Sequence, residues 1–369
     1  MANQKGVSGV QSQAMTVWMD VRSPSEYAQG HVPGALSLPL FSDAERREVG
    51  ICYKRRGALE AVNLAWFYVG PKVPTLLESI HRLSKEQGIT PLKAGAEGNP
   101  TGVEEGVRQW TLYCWRGGQR SMGMEMLVRQ AGYAVTRYAG GYKAWRGRME
   151  ELWTRPWRWR VVGGRTGSAK TETLQALAGM GEQVLDLEAL ACHLGSAFGD
   201  LGQPPQPSQE HFTNKIAASM EEFRADKPIW VESESRQIGS LHLPDTLYEA
   251  LHRAPYFRLL RTMDFRMDYL LASYGILDAP GLASAFRKIE RKMGPQYCKQ
   301  ALEFLEQGNL RDAAALALVY YDRTYDFAFE QRPCPGCTVD LKTDARGERL
   351  AAMLIKAENR VFPPTRSGS

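Results

Sequence analysis

The sequence predicts an α/β protein of two domains, each built on a mostly parallel sheet covered by helices. Short apolar stretches typical of buried strands alternate with stretches in which apolar residues recur every three or four positions, as on an amphipathic helix. Two glycine-rich turns, at 114–121 and 163–171, each follow such a strand and precede a helix. A chain of 369 residues is also too long for one ordinary core. We therefore expect domains over residues 1–152 and 153–369.

The first domain alternates strands and helices along its length. Apolar runs predict strands at 17–21, 36–40, 110–113 and 135–138. Helical spacing or helix-forming composition predicts helices at 58–67, 75–85, 122–130 and 142–152. Residues 88–106 are rich in Gly and Pro without a period, which indicates a surface loop. Alternation of this kind is typical of parallel strands with helices on both faces.

The second domain begins after the segment 154–160, which mixes Trp and Arg. Strands are predicted at 160–162, 184–187 and 229–231, and a helix is predicted at 172–178. Residues 264–329 carry much charge and are expected to be predominantly helical. The Trp and Arg residues of the boundary segment could stack on bases or pack the domains together, and the packing interpretation is preferred.

Composition places the chain among soluble globular proteins, with 43% hydrophobic and 24% charged residues. No run approaches the roughly 18 apolar residues of a membrane span, and Met1–Val10 lacks the apolar stretch of a secretory signal, so a cytoplasmic location is expected. Six cysteines are too few for a disulfide framework in this length. The net charge of +5 permits a phosphate-rich partner without requiring one.

Cys114 lies between a predicted strand and a predicted helix, in a turn that suits a thiolate. Backbone N–H groups and the helix N-terminus would point at the sulfur, while Arg116 and Arg120 add positive charge. Gly117 and Gly118 allow the tight curvature that such convergence needs. The alternative is a small, buried and inert cysteine. We predict Cys114, Arg116 and Arg120 as catalytic residues.

Residues 20–27 (DVRSPSEY) and 30–35 (GHVPGA) resemble the opening signature of a rhodanese domain. With Cys114 as the sulfur-carrying cysteine, the resemblance covers about residues 15–150. Asp20 and Arg22 are interpreted as organising the loop below the site, and His31 as capping a turn.

The second glycine-rich turn has the strand–turn–helix context of a P-loop. Its N–H groups would wrap a phosphate, Lys170 would reach a second phosphate, and the Thr171 hydroxyl is a candidate ligand for Mg²⁺. Ala169 replaces the usual glycine before the lysine, which weakens the case for tight nucleoside triphosphate binding but not for anion binding. The predicted phosphate-binding residues are Gly164, Gly167, Ser168, Lys170 and Thr171.

In this order, the two turns resemble those of the tRNA 2-selenouridine synthases. Further matching segments lie at 49–54, 140–144, 186–191, 193–199, 232–236, 238–240 and 320–322 with Tyr325. The resemblance covers nearly the whole chain. It implies a rhodanese-like domain followed by a P-loop NTPase-like α/β domain with a helical C-terminal portion.

The resemblance also implies the reaction. A wobble 2-thiouridine of tRNA is S-alkylated with geranyl diphosphate, and selenium from selenophosphate then displaces the geranylthio group to leave 2-selenouridine. The implied partners are thiolated tRNA and, as a candidate, the enzyme that supplies selenophosphate. No tightly bound cofactor and no resident metal site are expected. Competing interpretations are a rhodanese-type sulfurtransferase, a phosphatase-like enzyme using Cys114 and Arg120, and a non-catalytic tRNA-binding or sulfur-relay module.

Some residues keep two interpretations. Cys52, beside the basic residues 54–56, is either a second reactive thiol or a packed cysteine. Glu232 either orients a metal or ends a strand in solvent. The lone Cys334/Cys337 pair cannot fill a tetrahedral zinc site and is interpreted as a loop feature. Four cations at helical spacing form either a solvated face or a tRNA contact: Arg287, Lys288, Arg291 and Lys292.

Overall fold

The computed structural model describes residues 16–92, 108–274, 279–333 and 338–363. The chain divides into two compact units, Met1–Glu150 and Glu151–Ser369. This division lies two residues from the expected boundary. Cys334 and Cys337, and most of the expected 88–106 loop, fall outside the described residues.

The first unit is built on a parallel sheet in the strand order β2–β1–β3–β4. Its strands are β1 (Thr16–Asp20), β2 (Leu36–Ser37), β3 (Gln109–Tyr113) and β4 (Val135–Arg137). Its helices are α1 (Pro24–Gln29), α2 (Asp43–Arg56), α3 (Ala58–Val69), α4 (Val73–Glu86), α5 (Gln119–Gln130) and α6 (Gly141–Leu152), the last ending just past the division. Met19, Ile80, Trp110 and Val128 are fully buried in its core. This packing sets the carboxyl end of β3 beside the start of α5.

Helix α2 is absent from the prediction, and β2 is shorter than predicted. Because none of the residues of α2 is buried, the helix has no apolar stripe for a periodicity search to find. The signal that marks it is a capping box, in which Ser42 caps the helix and Glu45 reaches back to the Ser42 N–H at 2.8 Å. Cys52 therefore lies within a helix and not beside a loop.

The second unit has a five-stranded parallel sheet in the order β11–β10–β5–β7–β6 and a separate antiparallel pair, β8 and β9. Its strands are β5 (Arg158–Gly164), β6 (Gln183–Leu185), β7 (Pro228–Glu232), β8 (Gln237–Ile238), β9 (Leu241–His242), β10 (Tyr256–Leu260) and β11 (Thr338–Lys342). Its helices are α7 (Lys170–Gly179), α8 (Leu187–Ala191), α9 (Gln209–Glu221), α10 (Asp245–Arg253), α11 (Met263–Tyr274), α12 (Ala279–Met293), α13 (Pro295–Glu306), α14 (Leu310–Glu330) and α15 (Gly347–Val361). The helical character expected for 264–329 is confirmed over its described residues.

The boundary segment leads into β5 of the second unit, and two of its tryptophans are buried. Trp157 and Trp159 are buried, and the Trp157 indole N–H donates to the Leu152 carbonyl at 2.8 Å. Arg160 is buried too and pairs with Glu358 at 2.9 Å. The base-stacking interpretation of these two tryptophans is therefore wrong. No helix within the described ranges is long and apolar enough to cross a membrane.

Candidate functional site

Cys114 directly follows β3, and α5 begins five residues later. Its side chain is only 4% exposed, but polar groups surround the sulfur: Sγ lies 3.4 Å from the Ser121 hydroxyl oxygen, and the backbone N–H groups of Arg116 and Ser121 also bond to it. The Ser121 hydroxyl has one proton and contacts the Gly118 carbonyl as well, at 3.0 Å. It can therefore turn from the carbonyl to the sulfur when Cys114 ionises.

These contacts favour the charged form of the sulfur. Burial alone raises the pKa of Cys114, but the Ser121 hydrogen bonds, the Arg120 charge and the Arg116 N–H together lower the pKa below its ordinary value. A thiol with a lowered pKa is the nucleophilic kind of cysteine. The sulfur therefore has polar contacts that an inert cysteine in an apolar environment lacks, and the catalytic role of Cys114 stays a prediction.

The Cys114 loop rests against a glycine pair at the start of α6. Gly141 has φ +63°, and a Cβ there would lie 2.3 Å from the Cys114 carbonyl oxygen and 2.4 Å from the Gly117 nitrogen. The Tyr142 N–H donates to the same Cys114 carbonyl at 2.9 Å. Only glycine permits this approach, which holds the loop in its curved form.

The two predicted arginines contribute differently. The Arg120 guanidinium binds Glu26 through two hydrogen bonds, of 2.5 and 3.2 Å, so part of its charge is already compensated. Burial would raise the pKa of Glu26, but this pairing lowers it to about 2. The Arg116 side chain is exposed, and its contribution to the sulfur comes from the backbone N–H.

The structural interpretation of Asp20, Arg22 and His31 is confirmed. The Arg22 guanidinium bonds to Asp20 at 2.6 Å, with both side chains buried, and lies 3.9 Å from the centre of the Tyr142 ring. The His31 Nδ1 atom is 2.9 Å from the Tyr27 carbonyl oxygen. Asp20 and Arg22 therefore form a buried ion pair against Tyr142, the residue whose N–H binds the Cys114 carbonyl, and His31 stabilises a turn.

The second glycine-rich turn connects β5 to α7 as predicted. Gly167 has φ +83°, and a Cβ there would lie 2.7 Å from the Arg266 carbonyl oxygen. Ala169, the residue before α7, has φ +60° and ψ +39°, so it adopts the left-handed conformation that glycine ordinarily supplies. The loop has therefore taken its curved form despite Ala169. The Lys170 ammonium donates to the Gly164 carbonyl at 3.2 Å.

This turn lines one side of an open cleft of ≈ 700 Å³. The predicted Ser168, Lys170 and Thr171 line the cleft, as does Gly167. Arg346 also borders it and adds a cation that the prediction did not include. The Thr171 hydroxyl donates to the Glu188 carboxylate at 2.9 Å. The cleft thus contains the cations Lys170 and Arg346, of which Arg346 pairs with Glu172 at 2.6 Å, and the carboxylates of Glu188 and Glu234.

Glu232 is almost fully buried below this cleft. One carboxylate oxygen accepts from the Glu188 N–H at 2.7 Å, and the other has no hydrogen-bond partner among the described residues. Burial, with Asp186 and Glu188 nearby, raises the pKa of Glu232 well above its ordinary value. The interpretation of Glu232 as a solvated strand end is therefore wrong. Burial and the Glu188 charge also raise the pKa of Glu234 to about 8, against the opposing effect of Lys170.

An apolar recess adjoins the cleft. It is bordered by α11, α12 and α14, through side chains that include Leu270, Leu282 and Phe286. Leu270 and Tyr321 border both the recess and the cleft. The interior of the recess is ≈ 60 Å³. A ligand with a phosphate end and an apolar end can therefore contact both regions at once.

The remaining predicted residues lie elsewhere. Cys52 is half-buried on α2. The four cations of α12 are all exposed, opposite the face that buries Phe286 and Ile289, and Lys288 pairs with Asp200 at 2.6 Å. Besides Arg346, the prediction missed four residues of the two sites, although each lies within a segment that the sequence analysis singled out: Glu26, Ser121, Glu188 and Glu234.

Family models match both parts of the chain. One described as the tRNA 2-selenouridine synthase AAA domain matches residues 157–340, and one described as the rhodanese-like domain matches residues 7–59. Cys114 lies beyond the second range.

Curated relatives match most of the chain. A tRNA 2-selenouridine synthase from Marinobacter nauticus is 34% identical over 348 residues, which cover 85% of this chain and 88% of the relative. Proteins of the same name from Chromohalobacter salexigens and Bordetella bronchiseptica are each 33% identical, and the alignments cover 88% and 87% of those relatives. Identity of this extent over nearly whole chains establishes the relationship: the chain belongs to the tRNA 2-selenouridine synthase family.

Proposed function

We propose that this chain converts 2-thiouridine at the wobble position of tRNA to 2-selenouridine in two steps. The second unit transfers a geranyl group from geranyl diphosphate to the thiouridine sulfur. The first unit then exchanges the geranylthio group for selenium supplied by selenophosphate. The names of the relatives support the overall reaction, and the presence of a thiol loop in one unit and a glycine-rich turn beside an apolar recess in the other supports its division.

The observation that carries this proposal is the apolar recess beside the phosphate-binding turn. A nucleoside triphosphate would present a polar sugar and base to that region, whereas a prenyl diphosphate presents hydrocarbon. The recess interior of ≈ 60 Å³ accepts only the end of a ten-carbon chain. The rest of the chain would lie along Leu270 and Tyr321 in the wider cleft.

In the first step, the thiouridine sulfur bonds to the first carbon of the geranyl group while the carbon–oxygen bond to diphosphate breaks. The diphosphate leaves with the bonding electrons, and water takes the N3 proton of the base. Lys170 and the N–H groups of the turn would stabilise the charge on the leaving diphosphate. Thr171 and Glu188 offer the oxygen ligands that Mg²⁺ prefers, and the ion would neutralise further charge on the diphosphate.

In the second step, selenium bonds to C2 of the base while the C2–sulfur bond breaks. The geranyl group leaves as geranylthiol, and water cleaves the selenium–phosphorus bond to release phosphate. We assign this step to the Cys114 loop, since its N–H groups and Ser121 are arranged around the Cys114 sulfur and would equally hold anionic selenium.

Ligand binding tests the assignment of the cleft. Lys170→Ala should weaken the binding of both geranyl diphosphate and inorganic diphosphate, as measured by calorimetry. Ala314→Phe narrows the recess and should weaken the binding of geranyl diphosphate but not that of inorganic diphosphate. Val319→Phe, on the exposed side of the same helix, is the matched control. Equal affinities of wild type and Ala314→Phe for geranyl diphosphate would remove the recess from the proposal.

The exposed cations of α12 are proposed as a contact with the tRNA backbone. Arg287→Ala and Arg291→Ala should each weaken tRNA binding and reduce the slope of log K against log salt by about one. Lys227→Ala removes an exposed cation from another part of the unit and is the control for net charge. If the slope of log K against log salt changes no more in the α12 variants than in the control, these cations do not contact tRNA.

A further inference from the structure

The first unit contains an apolar cavity that neither proposed step has used. Its volume is ≈ 250 Å³, and it lies between α3, α5 and the segment after β2. Leu40 forms part of the wall, together with Ala65 and Trp66 of α3 and Met126 of α5. Trp66 and Met126 are each more than half exposed, which leaves two large apolar side chains at the opening. An apolar ligand that covers such a surface removes it from water, which is favourable.

The cavity and the Cys114 thiol border the same turn of α5. Gln119 and Arg120 line the cavity, and the Arg120 charge acts on the Cys114 sulfur. Ser121, the next residue, contacts that sulfur directly. Gly123, one turn further along the helix, lines the cavity again. The first turn of α5 is therefore shared by the cavity and by the groups that surround the sulfur.

Size and chemistry indicate the occupant. An apolar cavity of about 150 Å³ holds one benzene ring, so ≈ 250 Å³ suits a larger hydrocarbon. The polar groups Gln119 and Arg120 come from the α5 N-terminus, so a ligand needs a polar end there and an apolar remainder. Flexible Met122 and Met126 adapt to a branched chain better than rigid side chains do.

We propose that this cavity binds the prenyl chain of the S-alkylated uridine during the selenium step. This inference rests on the proposed function, and adds a second prenyl site apart from the recess beside the phosphate-binding turn. As selenium bonds to C2, the C2–sulfur bond breaks and its electron pair leaves with sulfur. The resulting thiolate takes a proton from water and departs with the chain as the prenyl thiol. Anchoring the chain would place the breaking bond beside Cys114 and would select long S-alkyl groups over short ones.

The test uses two short anticodon stem-loop RNAs, one with S-geranyl-2-thiouridine and one with S-methyl-2-thiouridine. Each is incubated with full-length protein and selenophosphate, so the geranylation step is bypassed. The wild type should convert the geranyl substrate at least about tenfold faster than the methyl substrate, since a chain of this size contributes that much discrimination or more in an apolar site.

Gly123→Leu fills the cavity with little strain, because a Cβ there lies 3.8 Å from the Leu40 side chain and the helix gains a better helix former. For this variant, the ratio of the rate on the geranyl substrate to the rate on the methyl substrate should fall to near one. Its rate on the methyl substrate should stay at the wild-type level. Gly147→Leu makes the same change on α6, in open space, and should behave as wild type.

A full geranyl preference in folded Gly123→Leu would overturn the inference. If that variant converts neither substrate, Ala65→Trp, which fills the cavity from α3, is used in its place. The same loss of geranyl preference is expected of it, and a full geranyl preference would overturn the inference. A wild type that converts both substrates equally well would refute the cavity's role but leave the proposed function intact. A wild type that converts neither would refute the proposed selenium step itself.

Discussion

The ion pair between Glu26 and Arg120 should make the stability of the first unit depend on pH. The pKa of Glu26 falls from 4.5 to about 2, a difference of about 2.5 pH units, although burial opposes it. At about 1.36 kcal/mol per unit, this corresponds to about 3 kcal/mol. Both side chains are less than one-fifth exposed, so solvent screening is modest, and we expect about 2–3 kcal/mol.

The sign follows from the direction of the change. Because the folded-state pKa lies below the unfolded value, the stabilisation is complete above about pH 4.5 and is lost as the pH falls toward 2. Urea unfolding of wild type and Glu26→Gln should therefore differ by about 2–3 kcal/mol at neutral pH, and the difference should shrink below about pH 4.5.

The control for this experiment is Glu86→Gln, which removes an exposed carboxylate that pairs with Arg82 on the surface. It should change the free energy of unfolding by less than about 0.5 kcal/mol at every pH. A difference between wild type and Glu26→Gln that stays constant as the pH is lowered, or that never exceeds the control, would refute the reasoning.

Three further predictions concern the two turns. Ser121→Ala removes a hydrogen bond to a charged sulfur, worth about 1.5 kcal/mol, so alkylation of Cys114 by iodoacetamide at neutral pH should slow about tenfold; an unchanged rate would contradict the thiolate geometry. Ala169→Gly relieves a left-handed alanine and should raise the free energy of unfolding by about 1 kcal/mol in urea, whereas a loss of stability would count against that strain. Since the Glu234 carboxyl is neutral below its pKa of about 8 and charged above it, diphosphate affinity measured by calorimetry without Mg²⁺ should fall as the pH rises through 8, and a fall that persists in Glu234→Gln would contradict this origin.

Short sequence patterns predicted the strands and turns whose conformation depends on neighbouring residues. The apolar runs of β1, β3 and β7 and the glycine turns after β3 and β5 were visible as sequence, and the structure places them as expected. The strands β10 (YFRLL) and β11 (TVDLK) were missed because five residues that include charged side chains, beside long helical stretches, are too short a pattern to distinguish a strand from a helix. Only the pairing of β10 between β5 and β11 distinguishes them.

Both turns could be predicted from the sequence. The residues from other elements that form hydrogen bonds or charge interactions with them could not. Ser121 and Glu26 act on the Cys114 loop from different elements, and Glu188 and Glu234 reach the Thr171 turn from beyond β6 and β7. Such contacts depend on how strands are ordered in the sheet, which motif spacing does not encode. The burial of Glu232 is of the same kind, since the chain around it is polar on its C-terminal side.

The division of the reaction between two sites is tested most directly by mass analysis of nucleosides. Thiolated tRNA is incubated with geranyl diphosphate, selenophosphate and either wild type, Cys114→Ser or Lys170→Ala, and is then digested. We expect 2-selenouridine from wild type, accumulation of S-geranyl-2-thiouridine with Cys114→Ser, and little change to 2-thiouridine with Lys170→Ala. Formation of 2-selenouridine by Cys114→Ser at the wild-type level would contradict the account.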